Sequence, residues 1–334
     1  DAIRDPLWSR GLGDVYKRQI EIWQKGEVVE SIETEDPMQF IESFQARYQI
    51  DHQDNLPRFY GGLVGYFGYD TVRYVEKKIK DTAPQDPLGT PDILLMISED
   101  IVVFDNIESK IQYIKLVDPD IEDSVASAKA ELHKRSKSLS DINIKQDAFS
   151  TKEPIKESDF ISETGEESFE QSVDTIKNYI RAGDVMQVVL AQRMSCPFKL
   201  PSIDLYRALR ALNPSPYMYF MNLDKFDIVS SSPEILARLE DGNVTNRPLA
   251  GTRRRGKTPE EDKALEKELL ADPKEIAEHL MLIDLGRNDV GKVSKTGSVK
   301  VTERFAIERY SHVMHISSTV EGTLSENKNA YDLL

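Results

Sequence analysis

The sequence predicts an α+β fold. Strand-like runs separated by turn residues occupy residues 20–117, helical spacings begin near residue 121, and strands and helices then alternate to the end of the chain. Residues 4–19 (RDPLWSRGLGDVYKRQ) show neither strand alternation nor helical spacing, so residues 1–19 are expected to be a leader that is not native to the fold. Residues 20–140 form a first region. It has a strand at 20–23, a helix near 37–48, strands at 93–97 (ILLMI) and 100–105 (DIVVFD), and helical composition over 121–139. Residues 141–158 are polar and charge-mixed, as a linker would be, and a second region is expected over 159–334.

In that second region Phe169, Val173, Ile176 and Ile180 recur at four, three and four residues, marking one face of an amphipathic helix that Gly183 can stop. A strand is predicted at 186–194. Ser202 can cap a helix carrying Leu205, Leu209 and Leu212, which Asn213-Pro214-Ser215-Pro216 must end because proline lacks a donor. Strands are predicted at 226–230, 235–239 and 243–246, with Asp241-Gly242 as a hairpin turn.

Composition excludes several function classes. The 43 basic and 58 acidic residues leave a formal charge of -15, which argues against a general binder of nucleic acid or anionic membrane. An anionic substrate therefore needs a local basic pocket. The single cysteine, Cys196, excludes an intrachain disulfide and suits a reducing compartment. No run approaches the ~20 apolar residues of a membrane span, and no secretory leader is visible, so a cytoplasmic location is expected.

Four segments can carry chemistry. At Asp272-Pro273 a helix begins, with Asp272 suited to the N-cap, Glu275 to the reciprocal capping-box position and Gly286 to its end. Its apolar residues cover most of the circumference, so it is expected to be buried, and Glu275, Glu278 and His279 share an arc of roughly 100°. Buried carboxylates need a partner, which a metal ion or cationic ligand supplies; the spacing alone favours a cap for Glu275 and a salt bridge for Glu278. In residues 246–256 (NRPLAGTRRRG), four arginines surround a tight turn, as either a local anion attractor or a solvated basic loop. Residues 308–322 (ERYSHVMHISSTVEG) read as one strand with His312 and His315 on opposite faces. Gly61, Gly62, Gly65 and Gly68 match no nucleotide fingerprint and read as backbone packing.

Taken in order, GGLVGYFGYD (61–70), DVMQVVLAQR (184–193), NPSPYMYF (213–220), SSPE (231–234), RPLAGTRRRG (247–256), DPKEIAEHLMLIDLGRNDVG (272–291) and ERYSHVMH (308–315) resemble the chorismate-binding enzyme family, and within it the anthranilate synthase large subunits. The resemblance covers residues 20–334. It implies two β-sheets sandwiched between helices and a magnesium-dependent lyase that converts chorismate and ammonia to anthranilate and pyruvate, at the start of tryptophan biosynthesis.

The same resemblance assigns roles to single residues. Glu278 is implied as a magnesium ligand, with Glu275 beside that site among the catalytic residues; magnesium takes oxygen ligands and keeps waters. Glu234 resembles the general acid that protonates the departing C4 hydroxyl, and His315 the histidine near the same group. Ala250, Gly251 and Thr252 resemble the turn that contacts substrate. Asn213, Pro214, Ser215, Pro216, Tyr217 and Met218 resemble the pocket for tryptophan as feedback inhibitor. Gln187 stands where water-using relatives carry a lysine base, and Ala250 where aminodeoxychorismate synthases often carry a lysine nucleophile. Both features favour the anthranilate branch.

The partner implied is a glutamine amidotransferase subunit that supplies ammonia. Family elements expected before residue 20 and after Leu334 are absent from the sequence, so truncation at both ends is expected. The alternatives are aminodeoxychorismate synthase component I, separable by product identification, and a non-catalytic tryptophan sensor, separable by tryptophan binding without turnover.

Overall fold

The computed structural model describes residues 12–16, 19–50, 55–140 and 154–334. Two compact units divide the chain: Asp1–Ile144 with Ser325–Leu334, and Lys145–Leu324. Residues 141–153 of the expected linker lie outside the described residues, as do residues 1–11 and 17–18 of the expected leader.

The first unit comprises β1 (Leu12–Tyr16), β2 (Gln19–Gln24), β3 (Glu27–Glu33), α1 (Pro37–Gln45), β4 (Gly62–Phe67), α2 (Val72–Val75), β5 (Ile93–Ser98), β6 (Asp100–Asp105), β7 (Lys110–Lys115) and α3 (Ser124–Ser140). An antiparallel sheet runs in the order β3-β2-β1-β5-β4. Contrary to the leader expectation, β1 bridges β2 and β5. Hydrogen bonding to strands on both sides holds a segment whose side-chain pattern does not announce a strand. Ile20, Ile41, Ile93 and Leu95 form the core. The glycine run serves packing as expected, since a Cβ on Gly65 would fall 1.9 Å from the Leu94 carbonyl oxygen.

The second unit holds β8 (Ile161–Ser162), α4 (Glu166–Ala182), β9 (Met194–Ser195), α5 (Ser202–Leu212), β10 (Tyr217–Asn222), β11 (Asp227–Ser232), β12 (Arg238–Glu240), β13 (Asn243–Asn246), β14 (Leu249–Arg254), α6 (Pro259–Ala271), α7 (Pro273–Val293), β15 (Lys300–Arg309) and β16 (Val313–Thr323). A last helix, α8 (Ala330–Leu333), belongs to the first unit, where Asn329 caps it and donates to Glu42 at 2.7 Å. The expected region 159–334 thus gives up its final residues to the other unit.

Several local expectations are corrected. Only β9 forms from the strand expected over 186–194, and Met186 and Val189 are 80% and 86% exposed. A strand needs a hydrogen-bonding neighbour, and the pairing seen here is at the end of the stretch, where Arg193 O accepts from Glu163 N–H at 3.2 Å beside β8. Ser202 lies inside α5 after Pro201, and its hydroxyl meets the Asp227 carboxylate instead of capping the helix. The strand expected at 235–239 begins only at Arg238. Residues 308–322 form a hairpin whose strands are the end of β15 and β16, closed by Tyr310 N–H to Val313 O at 2.8 Å, with His312 in the turn.

β16 is the centre of the second unit's main sheet. β15 pairs along one edge, while β13 and β14 pair end to end along the other. α6 and α7 pack on the face where Met314 and Ile316 meet Leu269, Leu265 and Ile276. Asp272 caps α7 by accepting from Lys274 N–H at 3.0 Å, as predicted, but no reciprocal bond from Glu275 forms. Gly286 does not end the helix. It sits mid-helix where a Cβ would lie 2.4 Å from Asn246 Oδ1, so the absent side chain permits close helix-to-strand approach. Nor is α7 buried all round: His279, Ile283, Gly286, Val290 and Val293 make one buried stripe, and Leu280 and Leu285 remain exposed.

Candidate functional site

A row of three side chains crosses the sheet face opposite α6 and α7. Thr252 on β14, His315 on β16 and Glu308 on β15 are directly paired in register, and directly opposed residues of antiparallel strands project to one face. A bulge builds this row. Ala250 pairs with Ile316 and Thr252 with His315, leaving Gly251 extra at φ +68°, a conformation that suits glycine. Without the extra residue Thr252 would alternate toward the helices. Ala250 is buried beneath the bulge.

His315 Nδ1 lies 3.0 Å from Gly251 O and 3.1 Å from Thr252 Oγ1. A carbonyl only accepts, so Nδ1 carries the proton, and Nε2 is left as the nitrogen able to exchange one.

Glu234 follows Pro233 in the turn between β11 and β12. Its backbone is held by Ser232 Oγ, which accepts from Glu234 N–H at 3.3 Å and donates to Glu234 O at 3.0 Å. One carboxyl oxygen accepts from Leu249 N–H at 3.0 Å, while the residue as a whole is solvent-accessible. Loss of water around the carboxyl end raises its pKa. The Leu249 bond and His315 oppose the shift, and the Glu308 charge adds to it. A carboxyl group held this way is suited to donate a proton.

Glu308 itself is clamped. Arg247 Nη2 lies 2.7 Å from one of its oxygens, and the Tyr310 hydroxyl donates to the other at 2.5 Å. The Tyr310 ring stands against His315 with centroids 5.6 Å apart. Burial first, and the bond to Glu308 second, push the Tyr310 pKa well up, so the phenol stays a donor.

The opposite face answers the question of the arginine segment. It is neither a free anion attractor nor a solvated loop, because its side chains meet carboxylates of the protein. Arg253 contacts Glu268 and Asp272, each at 2.9 Å, Arg254 meets Glu261 at 2.5 Å, and Arg255 grips Asp262 with both ends. The Arg255 bonds, the Gly256 N–H and Arg309 hold Asp262 at a pKa of about 2.

On α7, Glu275 is 3.7 Å from Arg253, and its carboxylate closes on the helix side of Gly251. His279 is fully buried, bonded through Nε2 to Ser318 Oγ at 2.7 Å and packed on Phe305. Burial lowers its pKa, which makes it a neutral core residue. Half-buried Glu278 makes no hydrogen bond or ion pair among the described residues, so its oxygens are available to a hard cation. No group of three or more metal-ligating side chains exists among the described residues.

Among the residues singled out from sequence, Glu234, His315, Gly251, Thr252 and Ala250 come together. Gln187 lies exposed in the irregular segment before β9, apart in the chain from the strands and turns that carry them. Asn213 closes α5, and Ser231 Oγ donates to Asn213 O at 3.0 Å and lies 2.8 Å from Ser215 Oγ, while Ser311 Oγ is 3.3 Å from Asn213 Oδ1. Pro214 and Pro216 flank Ser215, and Tyr217 and Met218 start β10. Arg247, Glu308 and Tyr310 were not singled out as partners of the site. The signal that could have found them is the hairpin turn at 310–312, which sets Glu308 opposite His315.

Comparison with known proteins shows the family of the chain. A family model described as chorismate binding enzyme matches residues 6–334. Anthranilate synthase component 1 of Pseudomonas putida is 54% identical over 329 residues, covering 98% of this chain and 67% of its own length. The Pseudomonas aeruginosa protein of that name is 53% identical over 325 residues, covering 96% and 65%. The chain therefore spans about two thirds of the length of these curated relatives. The crystal structure of anthranilate synthase component I from Streptococcus pneumoniae superposes with a TM-score of 0.82 at 35% identity, covering 97% of this chain and 69% of that one. No helix among the described residues is long and apolar enough to cross a membrane.

Proposed function

The chain belongs to the chorismate binding enzyme family, and we propose from that premise that it is the chorismate-converting part of an anthranilate synthase large subunit. The observation that carries this reading is Glu234, held by Leu249 N–H in the turn after β11 with a carboxyl group whose pKa desolvation raises, near enough to His315 on the sheet face to feel its charge. Hydroxide is a poor leaving group, so the C4 hydroxyl of chorismate must be protonated as it departs; Glu234 donates that proton and His315 Nε2 orients the hydroxyl. Ammonia attacks ring C2 through its own lone pair and water leaves from C4. Loss of a proton and of pyruvate then aromatises the ring to anthranilate.

Magnesium is the proposed cofactor. Glu278, which has no protein partner among the described residues, would hold it, with Glu275 one turn of α7 away and completed by substrate oxygens and waters. When bound, the metal would neutralise the substrate's ring carboxylate. We further propose a glutamine amidotransferase partner as the ammonia source, tryptophan feedback through residues 213–218, and a cytoplasmic setting consistent with the lone Cys196.

The test is incubation of the full gene product with chorismate, ammonium chloride and magnesium. Fluorescent anthranilate is expected. Isochorismate or aminodeoxychorismate as the sole product rejects the reading.

A further inference from the structure

We propose that Glu308 is a positioning residue: clamped between Arg247 and Tyr310, it holds the Tyr310 ring against His315 and presents a fixed negative charge to Glu234. The proposal rests on the reading of Glu234 as proton donor and adds the device that keeps the donor and His315 in working order.

The geometry points to this from three directions. Glu308 is the cross-strand neighbour of His315, so its side chain rises from the same face, beside the imidazole. One carboxylate oxygen accepts from the Tyr310 hydroxyl at 2.5 Å, and the other is ion-paired with Arg247 at 2.7 Å without hydrogen-bond alignment, so contacts at both oxygens restrict how the group can turn. The phenol is tethered only two residues along the chain, and its ring reaches His315 at 5.6 Å between centroids. A ring held there limits how the imidazole can turn about the Nδ1 bond to Gly251.

The charge has a second consequence. Four ionisable groups from β15, β16 and the flanking turns act on one another here, Glu234, His315, Glu308 and Tyr310, and Arg247 pairs with Glu308 at 2.7 Å and with Glu303 at 3.7 Å. The imidazole favours the ionised form of Glu234, and the Glu308 carboxylate opposes it. Glu308 thus helps the acid keep its proton while Arg247 keeps Glu308 in place. The arrangement needs no contact between Glu308 and substrate.

Carboxyl and imidazole resonances of the protein labelled with ¹³C-glutamate and ¹³C-histidine test this without any turnover. Glu234→Gln and His315→Gln spectra assign the two signals. In Glu308→Gln the Glu234 titration midpoint is expected to move down. In Tyr310→Phe, which keeps the carboxylate and loses only the hydroxyl tether, the Glu234 midpoint is expected to stay at its wild-type value while the His315 ring resonance shifts. Circular dichroism establishes that both variants fold, and the tyrosine variant still decides the ring-holding role if the Gln variant does not. A Glu234 midpoint that stays put in Glu308→Gln, or a His315 resonance that stays put in Tyr310→Phe, overturns the proposal. Because neither readout involves chorismate, failure here is distinct from failure of the anthranilate assay.

Discussion

Thr252 and His315 stand directly opposite each other on neighbouring strands, with Thr252 Oγ1 3.1 Å from His315 Nδ1. They do so only because Gly251 is inserted as a bulge between Ala250 and Thr252, which turns Thr252 away from the helices and brings the Gly251 carbonyl to His315. Four predictions follow the physical chemistry of this face and its supports.

Gly251→Ala is expected to destabilise the protein by about 1–3 kcal/mol, because φ +68° strains an L side chain and the new Cβ would press on Leu269, Glu275 and Ile316 at 3.1–3.3 Å. Urea denaturation measures the loss. A variant as stable as wild type would show that the bulge relaxes freely.

Glu234→Gln should leave the fold unchanged, since the amide oxygen can still accept from Leu249 N–H, yet lower turnover about 10²–10⁴-fold. The sign of the pH effect follows from the raised pKa. The acid acts while protonated, so the wild-type rate falls as pH climbs through that pKa, and the variant lacks that limb. A pH–rate profile in which both proteins share the limb would assign the proton to another group.

Glu278→Gln should abolish magnesium-dependent turnover with the circular dichroism spectrum unchanged, because a neutral amide is a weaker magnesium ligand than a carboxylate. Calorimetric titration with magnesium and chorismate reads the binding directly. Wild-type magnesium affinity in the variant would return Glu278 to a structural role.

Asp262→Asn should destabilise the second unit above about pH 4 and progressively less below it. The Asp262 pKa is held at about 2 against an ordinary 3.8, so its stabilising contribution is complete above the unfolded value and is lost as pH falls through that interval. Thermal melts of both proteins between pH 2 and 7 should converge at the acid end. A gap of constant size across that range would sink the linkage.

How far the sequence reaches can be judged element by element. The 4-3-4 spacing of Phe169, Val173, Ile176 and Ile180, the Asp272-Pro273 start and the Asp241-Gly242 hairpin turn each reappear in the structure, because caps, turns and amphipathic faces are decided by neighbours in the chain. The order of the motifs identified the family, and the resemblance singled out Glu234, His315, Gly251 and Thr252 as candidates.

What the chain's neighbours could not decide, tertiary structure did. Gly286 reads as a helix stop, yet it is the contact point with Asn246, because a side chain's absence signals a turn or a close approach equally well. His279 reads as part of a polar arc with Glu275 and Glu278, yet packing turns it into the core against Ser318. The arginines of residues 247–255 are cationic by sequence, but carboxylates from α6, α7 and β15 satisfy them, and those partners arrive only when the strands and helices pack. The row of Thr252, His315 and Glu308 depends on strand register and on one bulge. Local sequence sets where a strand or helix can form, whereas register is a relation between distant segments that packing alone selects.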